Sequence, residues 1–464
     1  MTREKIIAKE QKELAKWKRE QEKPVGKAYM PLLIFIIAVV YLLDALATDL
    51  HSGLQDLQYT FFANQLGTTY DSIASRFAFM NLAPMLINLI SPFYKALADK
   101  YGRKIMFIIS TMGMGAGLLM GVFSNNLITF WLGRTLLAFF VAADIQLIYI
   151  MEISSPDKRA RMFGITKFIS FMGVLIVPLC RDLLLNPDGS NWQIVCLVPA
   201  IIAVAATILL VLFVRESGPF TKKRIAYLET PYEERQAQEM QAKKDKSVSS
   251  HKTGIGPGFK YVFRNKTVRA IAFASFFVLL GFNAFVGYST TIWVKGGMDL
   301  AQRTAALYFY PVGAALVTLF GGFASDRWGR KASTCLFAAL SLVGLLGFVL
   351  TALPSLPPWI TGMFYGVCYG AFWTTGDIIT MLTAESVKTE IRSSAQAVFG
   401  ITGLVAIMIS TIGFGIIFGI AGEHFLTISL IWGLITMGIA LFIIFTRTRE
   451  TKGIDINMAG ADTV

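Results

Sequence analysis

Apolar runs of about 20 residues, the length that spans hydrocarbon as a helix, recur twelve times along the chain. Six fall near 30–52, 73–94, 105–123, 128–150, 162–182 and 193–214. Six more fall near 269–293, 304–323, 333–352, 358–383, 395–419 and 425–446. The polar stretch between the two sets carries Lys222-Lys223-Arg224, Glu233-Glu234-Arg235 and Lys243-Lys244-Asp245-Lys246, then the breaker Gly254 to Gly258. Residues 1–27 are rich in Lys, Glu and Gln and read as a helical tail. Ile7, Leu14 and Trp17 would lay one face of it on lipid, or the helix would simply be solvated. The pattern predicts an all-α membrane protein of twelve transmembrane helices in two pseudo-symmetric six-helix bundles. Its parts are a tail at 1–27, a bundle at 28–214, a basic linker at 215–267, a second bundle at 268–446 and a tail at 447–464.

Composition agrees: 54% of residues are hydrophobic and 16% charged, against roughly 25% charged in a soluble domain. The net charge of +13 is gathered in the tails and alternate loops, so the membrane and not a nucleic acid accounts for it. Cytoplasmic loops carry the Lys and Arg excess, which places both termini in the cytoplasm of a multi-pass protein of a plasma or bacterial inner membrane. Lys295 and Arg303, near the seventh loop, are exceptions to that sign pattern. The four cysteines lie in apolar runs and read as small core residues, without a disulfide framework. His51, His251 and His424 are scattered without metal-ligand spacing. No enzyme signature, cofactor or metal site is predicted. Gly113-Met-Gly115-Ala-Gly117 is flanked by apolar residues and reads as close helix packing.

One segment occurs twice. Lys95-Ala-Leu-Ala-Asp99-Lys-Tyr-Gly102-Arg103-Lys104 is matched by Gly322-Phe-Ala-Ser-Asp326-Arg-Trp-Gly329-Arg330-Lys331, 227 residues later. Each copy sits on a short hinge between two apolar runs, the mark of a duplicated half-protein. The segment resembles the loop signature of the major facilitator superfamily, found after its second and eighth membrane helices. Glu152 to Arg159 and Glu385 to Arg392 share one spacing and are similar to the family's Glu-x6-Arg element. The resemblance implies a cytoplasmic gate made of Asp99, Gly102, Arg103, Glu152, Arg159, Asp326, Gly329, Arg330, Glu385, Arg392 and Glu450.

Further stretches are similar to the sugar porters within that superfamily: Gly281 to Trp293, Arg449-Glu450-Thr451-Lys452-Gly453, and the worn copy Arg215-Glu216-Ser217. The end of the tenth run, Ala384-Glu385, also resembles organic-ion symporters. Departures weaken the sugar reading. Two sugar-binding glutamines of the family correspond to Phe277 and Val278, and its tenth-helix Gly-Pro and Trp positions are Gly376-Asp377 and Thr380. The antiporter signature of the fifth helix is partial: Gly164, Gly173 and Pro178 fit, Val177 and Arg181 do not.

Ionisable groups inside hydrocarbon are functional candidates by default. Asp44 lies roughly 21 Å from the cytoplasmic edge and Arg134 roughly 9 Å from the outer one, counted at 1.5 Å per residue. In a core about 30 Å thick these depths match. The pair is read as proton-coupling, as the family resemblance implies, or as a structural ion pair. Asp144 and Lys167 share a depth near the inner edge. Lys167 would bind an anionic substrate group or neutralise Asp144. Asp49 and His51 are expected at the solvated outer mouth. Asn283, Asp377 and Tyr288 complete the candidate substrate contacts. Trp293, Tyr365, Tyr369, Phe372 and Trp373 would line the path or pack as core.

Together these features predict a secondary active transporter that couples protons to movement of a small polar metabolite, a sugar or organic acid, as a functional monomer in the bilayer. A drug/proton antiporter and a non-transporting sensor signalling through 215–267 are the alternatives.

Overall fold

The computed structural model describes residues 3–22, 26, 28–87, 90, 97–98, 101–141, 168–235, 255–387 and 392–451. The first half contains helices α1 (Arg3–Glu22), α2 (Tyr29–Leu66), α3 (Tyr70–Met80), α4 (Leu82–Ile87), α5 (Arg103–Val122), α6 (Leu127–Val141), α7 (Ile176–Leu184) and α8 (Leu197–Phe213). Between the halves come α9 (Gly218–Glu229) and α10 (Ile255–Arg264). The second half contains α11 (Lys266–Val286), α12 (Ser289–Lys295), α13 (Leu300–Trp328), α14 (Arg330–Leu350), α15 (Pro358–Ser386), α16 (Arg392–Ile420) and α17 (Phe425–Arg447). Eight helices among the described residues are long and apolar enough to cross a membrane. Their outward faces remain apolar, as at Leu212, Ile420 and Phe442.

Without a hydrophobic drive between helices in lipid, small residues and close packing hold a bundle together. Gly362, Gly366 and Gly370 follow one another at four-residue spacing along α15, and a Cβ on any of them would strike the carbonyl oxygen of Ala306, Tyr310 or Ala314 on α13. The backbones of α13 and α15 therefore touch along three turns. In the first half, Gly113 and Gly117 of α5 receive Phe140 and Leu137 of α6 in the same way. Across the halves, α3 packs on α16, α2 on α12 and α7 on α13.

Two expectations need correction. The first apolar run was placed at 30–52, but α2 continues for 38 residues to Leu66. Its far section carries Asp49, Gln55, Asp56 and Gln58, all buried. These polar groups end the apolar pattern without ending the helix: partners on other elements satisfy Asp49, Gln55 and Asp56, while Gln58 turns back to His51 of the same helix at 3.2 Å. The tail helix α1 is the second case. It is not simply solvated, but docked on the linker region. Glu13 meets Arg224 at 2.9 Å, Glu10 meets Arg235 at 2.6 Å and Lys18 meets Glu229 at 2.7 Å. Trp17 packs edge-on against Phe220, with centroids 5.7 Å apart.

Candidate functional site

The duplicated hinges are built alike. Gly102 and Gly329 hold φ of +110° and +92°, a region open to glycine and strained for other residues. Each lets the chain turn directly into a helix whose first N–H groups need acceptors. Glu216 supplies them for α5, accepting from the backbone N–H of Arg103 at 2.8 Å and of Lys104 at 3.2 Å. Glu450 does the same for α14, accepting from Arg330 at 2.7 Å and Lys331 at 3.0 Å. Both carboxylates also accept from the next residue's N–H, Ser217 at 2.9 Å and Thr451 at 3.0 Å. A Cβ on either hinge glycine would collide with the capping carboxylate. Burial raises the Glu216 carboxyl above its ordinary value, against the lowering effect of the three backbone donors.

In the second half the gate candidates converge. Arg330 lies 3.3 Å from Glu385 and donates to Ser325 Oγ at 2.6 Å, and Thr451 donates to the other Glu385 oxygen. In the first half, Arg103 lies 5.7 Å from the Phe220 ring. Asp99, Asp144, Glu152, Arg159 and Lys167 lie outside the described residues, as do the side chains of Asp326 and Arg392.

At the end opposite the hinges, a charged cluster joins the halves. Asp56 of α2 is gripped by Arg181 of α7 through two parallel bonds of 2.9 Å, and both side chains are fully buried. Arg303 from the first turn of α13 reaches the same carboxylate at 2.7 Å. Arg181 also donates to Thr304 at 3.0 Å and to the Gly53 carbonyl at 2.5 Å, and Arg303 to the Met298 carbonyl at 2.7 Å. A buried charge is tolerated when paired and hydrogen-bonded, and this carboxylate has two cations. Nearby, Lys295 pairs with Asp71 at 2.5 Å. Gln55 donates to the Gly287 carbonyl and accepts from Thr291, which also meets Tyr70. Lys295 and Arg303, the two cations out of keeping with the loop charge pattern, thus hold the halves together. Asp56 and Arg181 were missed as site residues; the signal for Arg181 was its misfit in the fifth-helix signature.

Nearer mid-helix, Asp49 accepts from Tyr369 of α15 at 2.7 Å and is 4% exposed. This corrects its expected place at a solvated mouth, since α2 runs on well past it. Asp44 is half-buried, and Thr48 Oγ1 donates to its backbone carbonyl at 2.8 Å. Asp44 and Arg134 do not form an ion pair among the described residues. Arg134 instead acts on His51, Tyr59 and Tyr288. The helix starts from which the equal depths were counted, near 30 and 128, agree with α2 and α6, so equal depth alone did not bring the two side chains together.

Tyr288 sits where α11 breaks into α12, buried on Phe414 and Phe418. Asn283 donates to Thr411 of α16 at 3.4 Å, inside the second half. Asp377 is half-buried on α15. Trp293 is core, donating to Thr361 at 2.9 Å. The structure brings none of Asn283, Tyr288 and Asp377 together by hydrogen bonds among the described residues.

Comparison with known proteins gives the arrangement its family. Residues 29–411 match the family model of the Major Facilitator Superfamily. The probable metabolite transport protein CsbC of Bacillus subtilis is 22% identical over 375 residues, covering 77% of this chain and 79% of that one. The glucose transporter GlcP of Staphylococcus epidermidis is 23% identical over 383 residues, covering 77% and 81%. The class H tetracycline resistance protein of Pasteurella multocida is 25% identical over 333 residues, covering 70% and 76%. The crystal structure of a D-xylose–proton symporter superposes with a TM-score of 0.69 at 17% identity, covering 92% of this chain and 99% of that one. With its duplicated hinges and multi-pass helical fold, the chain belongs to the Major Facilitator Superfamily of transporters.

Proposed function

We propose that the chain is a proton-coupled symporter for a small polar metabolite, a sugar or an organic acid, working by alternating access as a monomer. The hinge end, both tails and the 215–267 linker are taken as cytoplasmic, in a plasma or bacterial inner membrane. The halves 28–214 and 268–446 would rock about the substrate. One observation carries this reading: among the described residues, the two ion pairs between the halves, Lys295–Asp71 and Arg303–Asp56, lie at the end away from the hinges. An assembly shut at one end by breakable polar bonds has the form expected of one side of an alternating cycle. Asp44 is the proposed proton carrier. Arg134 is proposed to set the field around it from the Tyr59 and Tyr288 side. Asn283, Tyr288, Asp377 and Lys167 are the proposed substrate contacts. The hinge residues, with Asp99, Glu152, Arg159, Asp326 and Arg392, are the proposed cytoplasmic gate.

Similarity to a glucose transporter and to a D-xylose–proton symporter supports the symport reading. Similarity to a tetracycline resistance protein supports drug/proton antiport as the second reading. Thermal-shift screening of purified protein against D-xylose, D-glucose, 4-hydroxybenzoate and ethidium separates the classes. Uptake of the stabilising compound into proteoliposomes under an imposed pH gradient then tests coupling. Accumulation driven by inward proton flow is expected, and accumulation driven only by outward proton flow would establish the antiporter.

A further inference from the structure

Where α8 ends at the hinge side, a recess of about 360 Å³ opens on the outer surface of the first half. Glu20 of α1, Tyr29 of α2, Lys104 of α5 and Phe213 and Arg215 at the close of α8 line it. The two cations are held in position. Lys104 Nζ donates to the Val211 carbonyl at 3.1 Å, one of the last carbonyls of α8. The Arg215 guanidinium lies 5.3 Å from the Tyr29 ring, and the Arg215 backbone N–H donates to Tyr29 Oη at 3.0 Å. Beside them the surface turns apolar, with Leu212 67% and Phe213 45% exposed. Cations above an apolar ledge at a helix end match a lipid headgroup at the membrane boundary, with acyl chains on the ledge.

The internal repeat shows that the hinge itself does not require this recess. Setting Glu450 on Glu216 puts Phe445, Thr446 and Arg447 where the first half has Val211, Leu212 and Phe213. In that second copy the lysine, Lys331, lies 5.9 Å from the Phe445 ring. A large ring thus occupies the space beside one lysine, and the ledge is replaced by polar residues.

We propose that the recess binds an acidic phospholipid, its phosphate held between Lys104 and Arg215. The binding does not depend on which solute the protein carries.

The test uses full-length protein, delipidated in neutral detergent. Dioleoyl-phosphatidylglycerol should raise its melting temperature by several degrees, and dioleoyl-phosphatidylcholine should not. Lys104→Gln/Arg215→Gln should weaken the phosphatidylglycerol response roughly 30-fold in concentration, given about fivefold per cation at a membrane surface. Val211→Phe, which copies the second half, should remove the response while keeping both cations, and circular dichroism checks its folding. Native mass spectrometry counts the bound lipid in each variant. An equal response to phosphatidylcholine, an undiminished response in both variants, or the same shift from inorganic phosphate alone would each overturn the proposal.

Discussion

Arg303, from the first turn of α13, reaches 2.7 Å across the two halves to Asp56, a carboxylate already held by Arg181 from its own half. On the proposed reading, the contact is the charged core of the outer gate. Arg303 remains partly exposed while Asp56 is fully buried, so water can reach the bond from one side only. Breaking a buried ion pair by removing one partner costs about 3–5 kcal/mol. Asp56→Asn leaves two guanidinium groups facing each other, one of them wholly buried. It should shift the protein toward the outward-open state. A cysteine at Thr291, now buried beside Gln55, reports this: its labelling by a membrane-impermeant maleimide should speed about tenfold or more. Unchanged labelling would show that Asp56 does not hold the gate.

The hinge glycines should tolerate nothing larger. Gly102→Ala places a methyl group against Glu216 and forces a left-handed backbone on an L-residue, costing about 1–3 kcal/mol. The same change at Gly329 meets Glu450. Loss of a helix cap alone, as in Glu216→Ala or Glu450→Ala, should cost about 1 kcal/mol. Thermal unfolding in detergent should therefore rank each glycine variant below its matching glutamate variant, and a reversed order would refute the cap geometry. In transport, Arg330→Ala should slow the cycle sharply while the protein still folds and inserts, because the Glu385 contact favours one of the two states.

Much of the architecture was legible because lipid imposes length and apolarity on every span, and the Gly102 and Gly329 hinges repeat in sequence. The far section of α2 was not. Asp49, Gln55 and Asp56 look like the wet end of a helix, and only the approach of Tyr369, Arg181, Arg303 and Thr291 makes them interior. Local sequence cannot tell a solvated polar group from one satisfied by a residue more than a hundred positions away. Lys295 and Arg303 did stand out, as cations in loops that should carry none. Their partners lay in other elements, so the anomaly was visible and its cause was not. The α1 dock is similar: Glu10 and Glu13 resemble any exposed acids until Arg235 and Arg224 face them.

That dock should be sensitive to acid and salt. Partial burial works to raise the Glu13 carboxyl, but hydrogen bonds from Arg224 and Trp17 outweigh it and hold the group below the ordinary glutamate value. A carboxyl lowered in the docked state contributes stability that is present above its free value and lost as pH falls through the docked one. Spin labels at Lys12→Cys and Lys222→Cys, with the four native cysteines replaced, should hold a single short distance at pH 7. The distance should broaden below the ordinary glutamate range, or in high salt at neutral pH, where exposed ion pairs are screened. A distance unchanged by both treatments would mean that Trp17 and Phe220 alone hold the helix.

Coupling is the sharpest test of the proposed mechanism. Asp44 lies in the membrane-spanning part of α2, half-buried, where a carboxylate is costly and its protonation is bound up with the conformation around it. Asn has nearly the same volume and cannot take up or release a proton. Asp44→Asn should therefore behave as a carrier locked in its protonated form, able to bind substrate and change face. Substrate exchange between the two sides of a proteoliposome without a pH gradient should survive within about threefold, while uphill accumulation under an imposed gradient should fall by about a hundredfold, to background. Arg134→Ala should lose both, because it removes the cation beside Tyr59, Tyr288 and His51, where α2 meets α6. If Asp44→Asn still accumulates substrate with a proton gradient as the sole driving force, Asp44 is not the carrier. Asp49, buried against Tyr369 of the opposite half, then becomes the first residue to substitute, with the same pair of assays.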